Sequence, residues 1–404
     1  MHRRRTDPVT VMTSVFNAAQ DLLIVLILAA NIYYLLCIIS AYQFFQKKSE
    51  PLSSETPAVT ILIPLSGADF EAYENYASFC KQDYPLYQIV FGVQEESDPA
   101  VQIVHQITKD FPDCDISLSI SSTTIGLNLK VSNLQNMVAF AKYDILAVVD
   151  SDIRVGEEYL RNIVSELSKE RVGLVTCLYR GIRAGNLAAK LEAIGITSEF
   201  ASGVLVARLL EGIKFALGAT LATKREVLDR IGGFPALADY LADDFMLGNL
   251  ISDAGFEVRL SPYVVKTVLA SPSFWSMVKH QVRWARGTRI CRPKSYLGLL
   301  FTYGTPLALL NLVFPGHLLP GWILLGFTLL MRLFASWTVG VRGLKDPIPK
   351  KYFWLVPARE ILSLGIWCWS LVGKTVEWRG QILELMKDGK IRTITNKKVA
   401  SVAS

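Results

Sequence analysis

Paired cysteines are what this 404-residue sequence most plainly lacks. Its six, Cys37, Cys80, Cys114, Cys177, Cys291 and Cys368, are scattered, and two of them lie inside apolar runs. Zinc sites and disulfide frameworks need cysteines at short, recurring spacings, so neither is indicated, and a reducing, cytosol-facing domain fits best. No internal repeat and no nucleic-acid motif is present. The formal net charge of +6 and the pI near 8.9 come from basic residues clustered beside apolar stretches, which favours contact with anionic lipid headgroups. Apolar residues are in excess: 51% of the chain is hydrophobic and the mean hydropathy is +0.32, high for a purely soluble protein. Membrane segments account for the surplus.

Residues 22–45 are almost continuously apolar, and about 24 helical residues exceed the ~20 that cross a bilayer. Tyr33, Tyr34 and Tyr42 are placed to act as interfacial anchors. The run has no small-residue cleavage site and leads into Lys47 and Lys48, so it reads as a retained anchor. After a polar linker (47–57), apolar runs at 59–63, 89–93, 116–120 and 145–149 alternate with helical patterns at 70–80, 100–109 and 130–142. That alternation predicts an α/β fold with a mainly parallel sheet and helices on both faces.

Farther along, the sequence predicts a helix at 157–167, a strand at 172–176, a long amphipathic stretch at 187–210 and a strand near 215–222. Asp243 is suited to cap the next helix and Gly255 to end it. Residues 274–290 set Trp275, Val278, Val282 and Trp284 among Lys279, Arg283, Arg286 and Arg289, the pattern of a basic amphipathic helix lying on a membrane surface. Three apolar stretches follow, at 297–314, 318–339 and 353–372. The first contains Gly304 and Pro306 and reads as re-entrant or interfacial; the other two read as full spans. Arg332, Arg359 and Glu360 lie within those two, where a charge faces a partner or polar cavity or, near a helix end, snorkels.

The organisation expected is an N-terminal tail (1–20), a transmembrane anchor (21–45), a catalytic domain (58–272), an amphipathic interfacial helix (273–293), a C-terminal membrane region (294–373) and a basic cytoplasmic tail (374–404). Charge alone leaves the topology open. His2, Arg3, Arg4 and Arg5, then Lys47 and Lys48, then Lys374, Arg379, Lys387, Lys390, Arg392, Lys397 and Lys398 each draw their own side towards the cytoplasm.

The triplet Asp150, Ser151, Asp152 directly follows the apolar run 145–149, so its carboxylates emerge at the sheet edge, where open α/β sheets bind ligands. Two readings are open there. One is an Asx turn closing the strand; the other is a carboxylate pair sharing a hard divalent cation that holds and neutralises a diphosphate.

Four patterns occur in order: VQEESDP (93–99), DSD (150–152), ADD (242–244) and HQVRW (280–284). Together they resemble the ceramide glucosyltransferase-like branch of the inverting, GT-A-fold glycosyltransferases, and in particular its bacterial hopanoid-associated members. The resemblance covers roughly 59–292 and rests on DSDIRV (150–155), VTCLYRG (175–181), LADDFMLG (241–248) and HQVRWARGTR (280–289). It implies a Rossmann-like catalytic domain in which Asp98 contacts the uracil and ribose side of a UDP-sugar. By the same resemblance Asp150 and Asp152 hold Mg²⁺ or Mn²⁺ at the diphosphate, and Asp244 is the general base for the acceptor hydroxyl. Lys130 falls near the diphosphate and Gly218 at a turn beside the donor sugar. Arg283 offers paired donors to the diphosphate, and Trp284 forms an apolar wall. His280 departs from the Gln or Arg usual at the first position of the last motif.

Each residue also has a plainer alternative. Asp98 before Pro99 suits a helix cap, Asp243 an outward-facing N-cap, Lys130 a solvated helix start and Gly218 an ordinary turn. Arg283 and Trp284 suit a helix seated at headgroups, and Glu192 and Glu199 a solvated helix face.

The function the resemblance implies is transfer of glucose or N-acetylglucosamine from a UDP-sugar to a hydroxyl of a membrane lipid, a hopanoid polyol or ceramide-like. Because nucleotide sugars are cytosolic, the catalytic domain is expected to face the cytoplasm of a bacterial inner membrane, with an even number of crossings after it. Two alternatives are a processive polysaccharide synthase, which His280 and the short membrane region argue against, and a non-catalytic membrane scaffold.

Overall fold

The short apolar runs pair side by side, those at 59–63, 89–93 and 145–149 buried on both faces and that at 116–120 half-buried at the sheet edge. In a computed structural model, which describes residues 8–46, 53, 55–314, 318–378 and 381–394, β1 (Val59–Pro64), β2 (Tyr87–Val93), β3 (Asp115–Ile120) and β4 (Ile145–Val148) run parallel. The expectations for His2, Arg3, Arg4, Arg5, Lys47, Lys48, Arg379, Lys397 and Lys398 lie outside the described residues, as does most of the 47–57 linker. Helix α1 (Pro8–Phe45) precedes the sheet, and α2 (Ala72–Phe79), α3 (Ala100–Asp110) and α4 (Leu129–Val138) connect its strands. The period-two side-chain alternation splits β1 between two cores: Ile61 and Ile63 face one, and Leu62 joins Val90, Leu146 and Val148 in the other.

The sheet is completed by β5 (Ile153–Arg154), β6 (Val172–Ile182), β7 (Leu221–Lys224) and β8 (Glu257–Val268), in the order β3-β2-β1-β4-β7-β6-β8-β5. Strand β7 runs antiparallel to β4 and β6, β5 runs antiparallel to β8, and the rest is parallel. Between these strands lie α5 (Tyr159–Leu167), α6 (Leu187–Gly195), α7 (Ala201–Glu211), α8 (Arg225–Arg230) and α9 (Asp243–Asp253). The strand expected near 215–222 begins only at Leu221. Thr176 Oγ accepts from Leu217 N at 2.9 Å and donates to Leu217 O at 3.1 Å, so this backbone is satisfied by a side chain instead of by a ladder.

Among the described residues, three helices are long and apolar enough to cross a membrane: Ser14–Phe45, Leu187–Glu211 and Leu319–Gly343. The second joins α6 to α7 through a π-helical turn, Ile196–Phe200. It packs mainly within the protein, with 61% of its most apolar window buried against 39% and 44% in the others. Beyond β8 come α10 (Phe274–Cys291), α11 (Pro293–Gly298), α12 (Gly304–Asn311), α13 (Leu318–Ser336), α14 (Pro347–Lys351) and α15 (Leu355–Ser370). The 297–314 stretch is broken into short pieces. The full span expected over 353–372 is not there: α15 has 16 residues, fewer than the ~20 needed to cross.

The charges among these helices face partners. Arg332 Nε lies 2.9 Å from Glu360, which also accepts from Tyr34 Oη (2.7 Å), Thr305 N (3.0 Å) and Thr305 Oγ (2.8 Å). Arg359 donates to Glu199 (3.1 Å) and Gln281 (2.8 Å), and Ser363 donates to Glu199. Tyr34 is therefore fully buried instead of anchoring an interface, and Glu199 is not on a solvated face.

Within α10, the expected membrane-surface helix, two cations turn inward. Arg286 donates to the carbonyls of Thr375 and Val372, and Arg289 to those of Leu371 and Gly373, all just past the end of α15. Cations at a helix C-terminus complement its dipole. Residues of the expected basic tail fold into an antiparallel sheet of β9 (Thr375–Trp378), β10 (Gln381–Leu385) and β11 (Ile391–Thr393). That sheet docks on the loop before α9, where Ile391 N donates to Asp239 O at 2.8 Å and Tyr240 bridges Lys390.

Candidate active site

The acidic triplet is strapped between two strands: Val149 N donates to Leu62 O, and Val268 N to Asp152 O at 2.8 Å. Facing it, Asn128 caps α4 by accepting from Val131 N (3.1 Å), which sets Lys130 in the first helical turn. Lys130 Nζ reaches Asp150 Oδ1 at 2.6 Å and Asp243 Oδ2 at 3.6 Å. It is not a solvated lysine, its side chain being 12% exposed. Burial alone would lower its pKa, but the Asp150 and Asp243 carboxylates outweigh burial and hold it protonated.

The adjacent carboxylates of α9 both belong to this cluster. Asp243 was expected as an outward-facing cap; instead Ala242 is the N-cap, and Asp243 is buried, facing Lys130 and Asn128 Nδ2 (3.4 Å). The reason is tertiary: Asn128 also donates to Tyr240 O at 2.8 Å and draws the start of α9 inward. Asp244 Oδ2 accepts from Gly218 N (2.8 Å), and its Oδ1 from Phe245 N (2.7 Å). Burial, and then the like charge of Asp243, push its carboxyl up to about 6, against the pull of Lys130.

Gly218 lies between two carboxylates. A Cβ there would come 3.1 Å from Asp150 Oδ2 and 3.2 Å from Asp244 Oδ2, so glycine leaves the space in front of them open. Asp152 accepts from Thr267 Oγ at 2.8 Å, and burial followed by the charge of Asp150 pushes it up to about 7.

Sequence reasoning missed Asp69, which accepts from Ser151 Oγ. Its signal was a carboxylate in the turn right after β1, at the same sheet edge as the triplet. Asp98 lies just before Pro99, the N-cap of α3, and accepts from Ala100 N at 2.8 Å, while its other oxygen accepts from Gly67 N at 2.9 Å, pinning the loop that carries Asp69. Its carboxylate thus ties the start of α3 to that loop.

The HQVRW residues make up a second group, on α10. His280 Nδ1 lies 3.2 Å from Glu192 Oε1, and Trp284 packs on the imidazole with ring centroids 4.3 Å apart. Arg283 precedes Trp284 on the same helix and is partly buried. Glu192 is buried and paired, not on a solvated face. Tyr179, also missed, feels carboxylates of both groups: burial raises its phenol, and so do Asp244, Asp152, Asp150 and Glu192. The structure therefore gathers Lys130, Asp150, Asp152, Gly218, Asp243 and Asp244 into one cluster and sets His280, Arg283 and Trp284 on a neighbouring helix.

This arrangement offers a proton acceptor, a fixed cation and a carboxylate pair short of positive charge. Residues 22–391 match the family model described as Glycosyl transferase family 21. Two similar proteins come from Caenorhabditis elegans. "Ceramide glucosyltransferase 3" is 26% identical over 87% of this chain and 77% of that protein, and "Ceramide glucosyltransferase 1" is 25% identical over 91% and 80%. Among solved structures, the mannosyltransferase PcManGT from Pyrobaculum calidifontis, in complex with GDP-Man and Mn²⁺, superposes with a TM-score of 0.52 at 20% identity, covering 87% of this chain and 99% of that one. This likeness is one of fold.

Proposed function

This chain belongs to glycosyl transferase family 21, and from that premise we propose that it moves a hexose from a UDP-sugar to a hydroxyl of a membrane lipid, with inversion at the anomeric carbon. It is a sugar-nucleotide-dependent glycosyltransferase with a GT-A fold and membrane helices. The observation that carries the finer reading is Asp244, a partly buried carboxylate held by Gly218 N beside Asp150. Inversion by direct displacement needs one base, within hydrogen-bond reach of the attacking hydroxyl and on the side opposite the departing UDP.

The donor set suits a divalent cation. Asp150 and Asp152 are hard oxygen ligands, and burial followed by the like charge of Asp150 raises Asp152, a deficit of positive charge that Mg²⁺ or Mn²⁺ would relieve. Among the described residues no three His, Cys, Asp or Glu side chains form a metal-binding group, so diphosphate oxygens and water would complete the shell. Bound there, the ion neutralises charge on the leaving diphosphate. Lys130 adds a fixed positive charge beside Asp150, and Gly218 allows the donor sugar to approach the backbone. Arg283 donates to the diphosphate and Trp284 walls the adjoining space. Asp98 and the loop it pins receive the uracil and ribose.

The lipid is ceramide-like or a hopanoid polyol, and the catalytic domain (58–272) faces the cytoplasm, where nucleotide sugars are made. The relatives named ceramide glucosyltransferase support a lipid acceptor. The test is to supply the purified protein, in lipid nanodiscs, with UDP-glucose or UDP-N-acetylglucosamine and with ceramide or a hopanoid polyol, and to weigh the lipid. A single added sugar is expected. A polymer, or lipid of unchanged mass with every donor, overturns the proposal.

Turnover should also depend on pH in a defined direction. A base with its carboxyl at about 6 is ionised above that pH, so the rate rises from pH 5 to 7 and then levels. At pH 5 about one-tenth of Asp244 is ionised, so kcat there is about tenfold below its plateau. The profile is read at saturating donor and saturating Mg²⁺, where Asp152 stays ionised; a flat profile counts against Asp244 as the base.

A further inference from the structure

We propose that the cavity between the C-terminal ends of α1 and α7 and the start of β8 binds the phosphate headgroup of an anionic phospholipid. The cavity has a volume of about 700 Å³ and is lined by Phe44 of α1, Arg208 and Leu209 of α7, Lys214 just beyond it, and Arg259 of β8. Phe44 is the penultimate residue of the first membrane-length helix, and Arg208 stands in the last turn of α7. None of the lining residues belongs to the acidic cluster. The cavity takes the opposite ends of shared elements: Ser252 near the end of α9, which Asp243 and Asp244 open, and the start of β8, whose far end at Val268 straps Asp152.

The charges already engaged fix the sign of the ligand. Glu166 is held by Lys169 at 2.9 Å and by Arg259 at 2.5 Å, and Glu257 lies 3.5 Å from the same arginine. Glu211 is taken by Arg292. Each carboxylate lining the cavity is therefore paired. Two of the lining cations are not: among the described residues neither Arg208 nor Lys214 meets a carboxylate. The Arg208 guanidinium lies over the Phe44 ring, 5.0 Å from its centroid, a contact that uses its face and leaves the N–H fork in its plane available. Arg208 is partly buried and Lys214 exposed, one set into the wall and the other at the rim. A planar fork beside a mobile ammonium suits a phosphate, which takes paired donors from the first and a point charge from the second.

The position favours a lipid as the source of that phosphate. Basic side chains beside the end of a spanning helix face the headgroups of the leaflet it leaves. Arg342 donates to Tyr42 Oη at 3.0 Å, so further positive charge flanks the same end of α1. Leu209 lines the cavity and Leu210, next in the chain, is 66% exposed, so apolar surface for acyl chains reaches the rim. A free anion would use the two cations and leave that apolar surface wet. Because α1, α7 and β8 all contribute, a headgroup held here ties the membrane helices to the catalytic sheet.

The test needs neither sugar donor nor acceptor, so its outcome is independent of the proposed function. The full chain, stripped of lipid in detergent, is titrated with phosphatidylglycerol or phosphatidylcholine, and native mass spectrometry counts the lipids retained. One phosphatidylglycerol should bind about tenfold more tightly than phosphatidylcholine, and neither inorganic phosphate nor UDP should displace it. Arg208→Gln and Lys214→Gln should each weaken it about fivefold, the increment one basic side chain contributes beside anionic lipid, whereas Lys279→Gln on α10 should not. Lys214 is exposed, so its replacement leaves folding intact and decides the matter even if Arg208→Gln unfolds. Equal retention of the two lipids, undiminished binding in Lys214→Gln, or displacement by inorganic phosphate or UDP overturns the headgroup site.

Discussion

Replacing Asp244 with Asn is expected to lower sugar transfer by about 10² to 10⁴-fold, the range that a positioned general base contributes, while UDP affinity stays within about twofold. The substitution preserves shape and removes the proton acceptor. The remaining oxygen can still accept from either Gly218 N or Phe245 N, though not both, which costs about 1 kcal/mol locally and should not unfold α9. Donor binding rests instead on Lys130, Asp150 and Asp152, none of which the change removes. Initial rates at saturating donor, set beside UDP calorimetry, separate the two effects. Near-normal turnover in this variant would falsify the base assignment and direct attention to His280, the imidazole on the neighbouring helix.

The second large effect concerns stability. Arg332→Met should destabilise the protein by about 3–5 kcal/mol, because removing one partner of a buried ion pair leaves the other charged and unpaired. Arg332 is 2% exposed and Glu360 1%, and the cation also lies 3.7 Å from Glu199. The pair joins α1, α12, α13 and α15, since Glu360 also holds Tyr34 and Thr305. The double variant Arg332→Met/Glu360→Gln should recover a substantial part of the loss, because it leaves no orphaned charge. Thermal unfolding in detergent, followed for all three proteins, reads both effects. If the single variant melts with the wild type, the network contributes no net stability and the idea is wrong.

The parallel half of the sheet was legible because β1, β2 and β4 are buried on both faces, so each appears as an apolar run at a spacing set by its connecting helix. Strand β8 was not, since only part of it is buried and Pro262 interrupts its apolar pattern. The segment before β7 looked like strand and is a turn, because Thr176, about forty residues earlier, satisfies Leu217. Length misled at 353–372: composition there suits a span, yet the helix stops at Ser370 and the carbonyls beyond it are taken by Arg286 and Arg289. The short, charged strands β9 to β11 gave no apolar run long enough to stand out.

At the site, the sequence by itself determined the chemistry available and its order: an acidic pair after β4, a second pair opening α9, and a basic aromatic helix before the last membrane segments. Those are local patterns, set by residue type and short spacing. Only the tertiary structure decided which groups meet. Lys130 lies on Asp150, Gly218 stands between Asp150 and Asp244, Asp243 turns inward to Asn128, and Glu192 pairs with His280 across 88 positions of chain. Burial, which exists only once distant segments pack together and exclude water, then raises Asp244 and Asp152, and it strengthens the repulsion from their sequence neighbours Asp243 and Asp150.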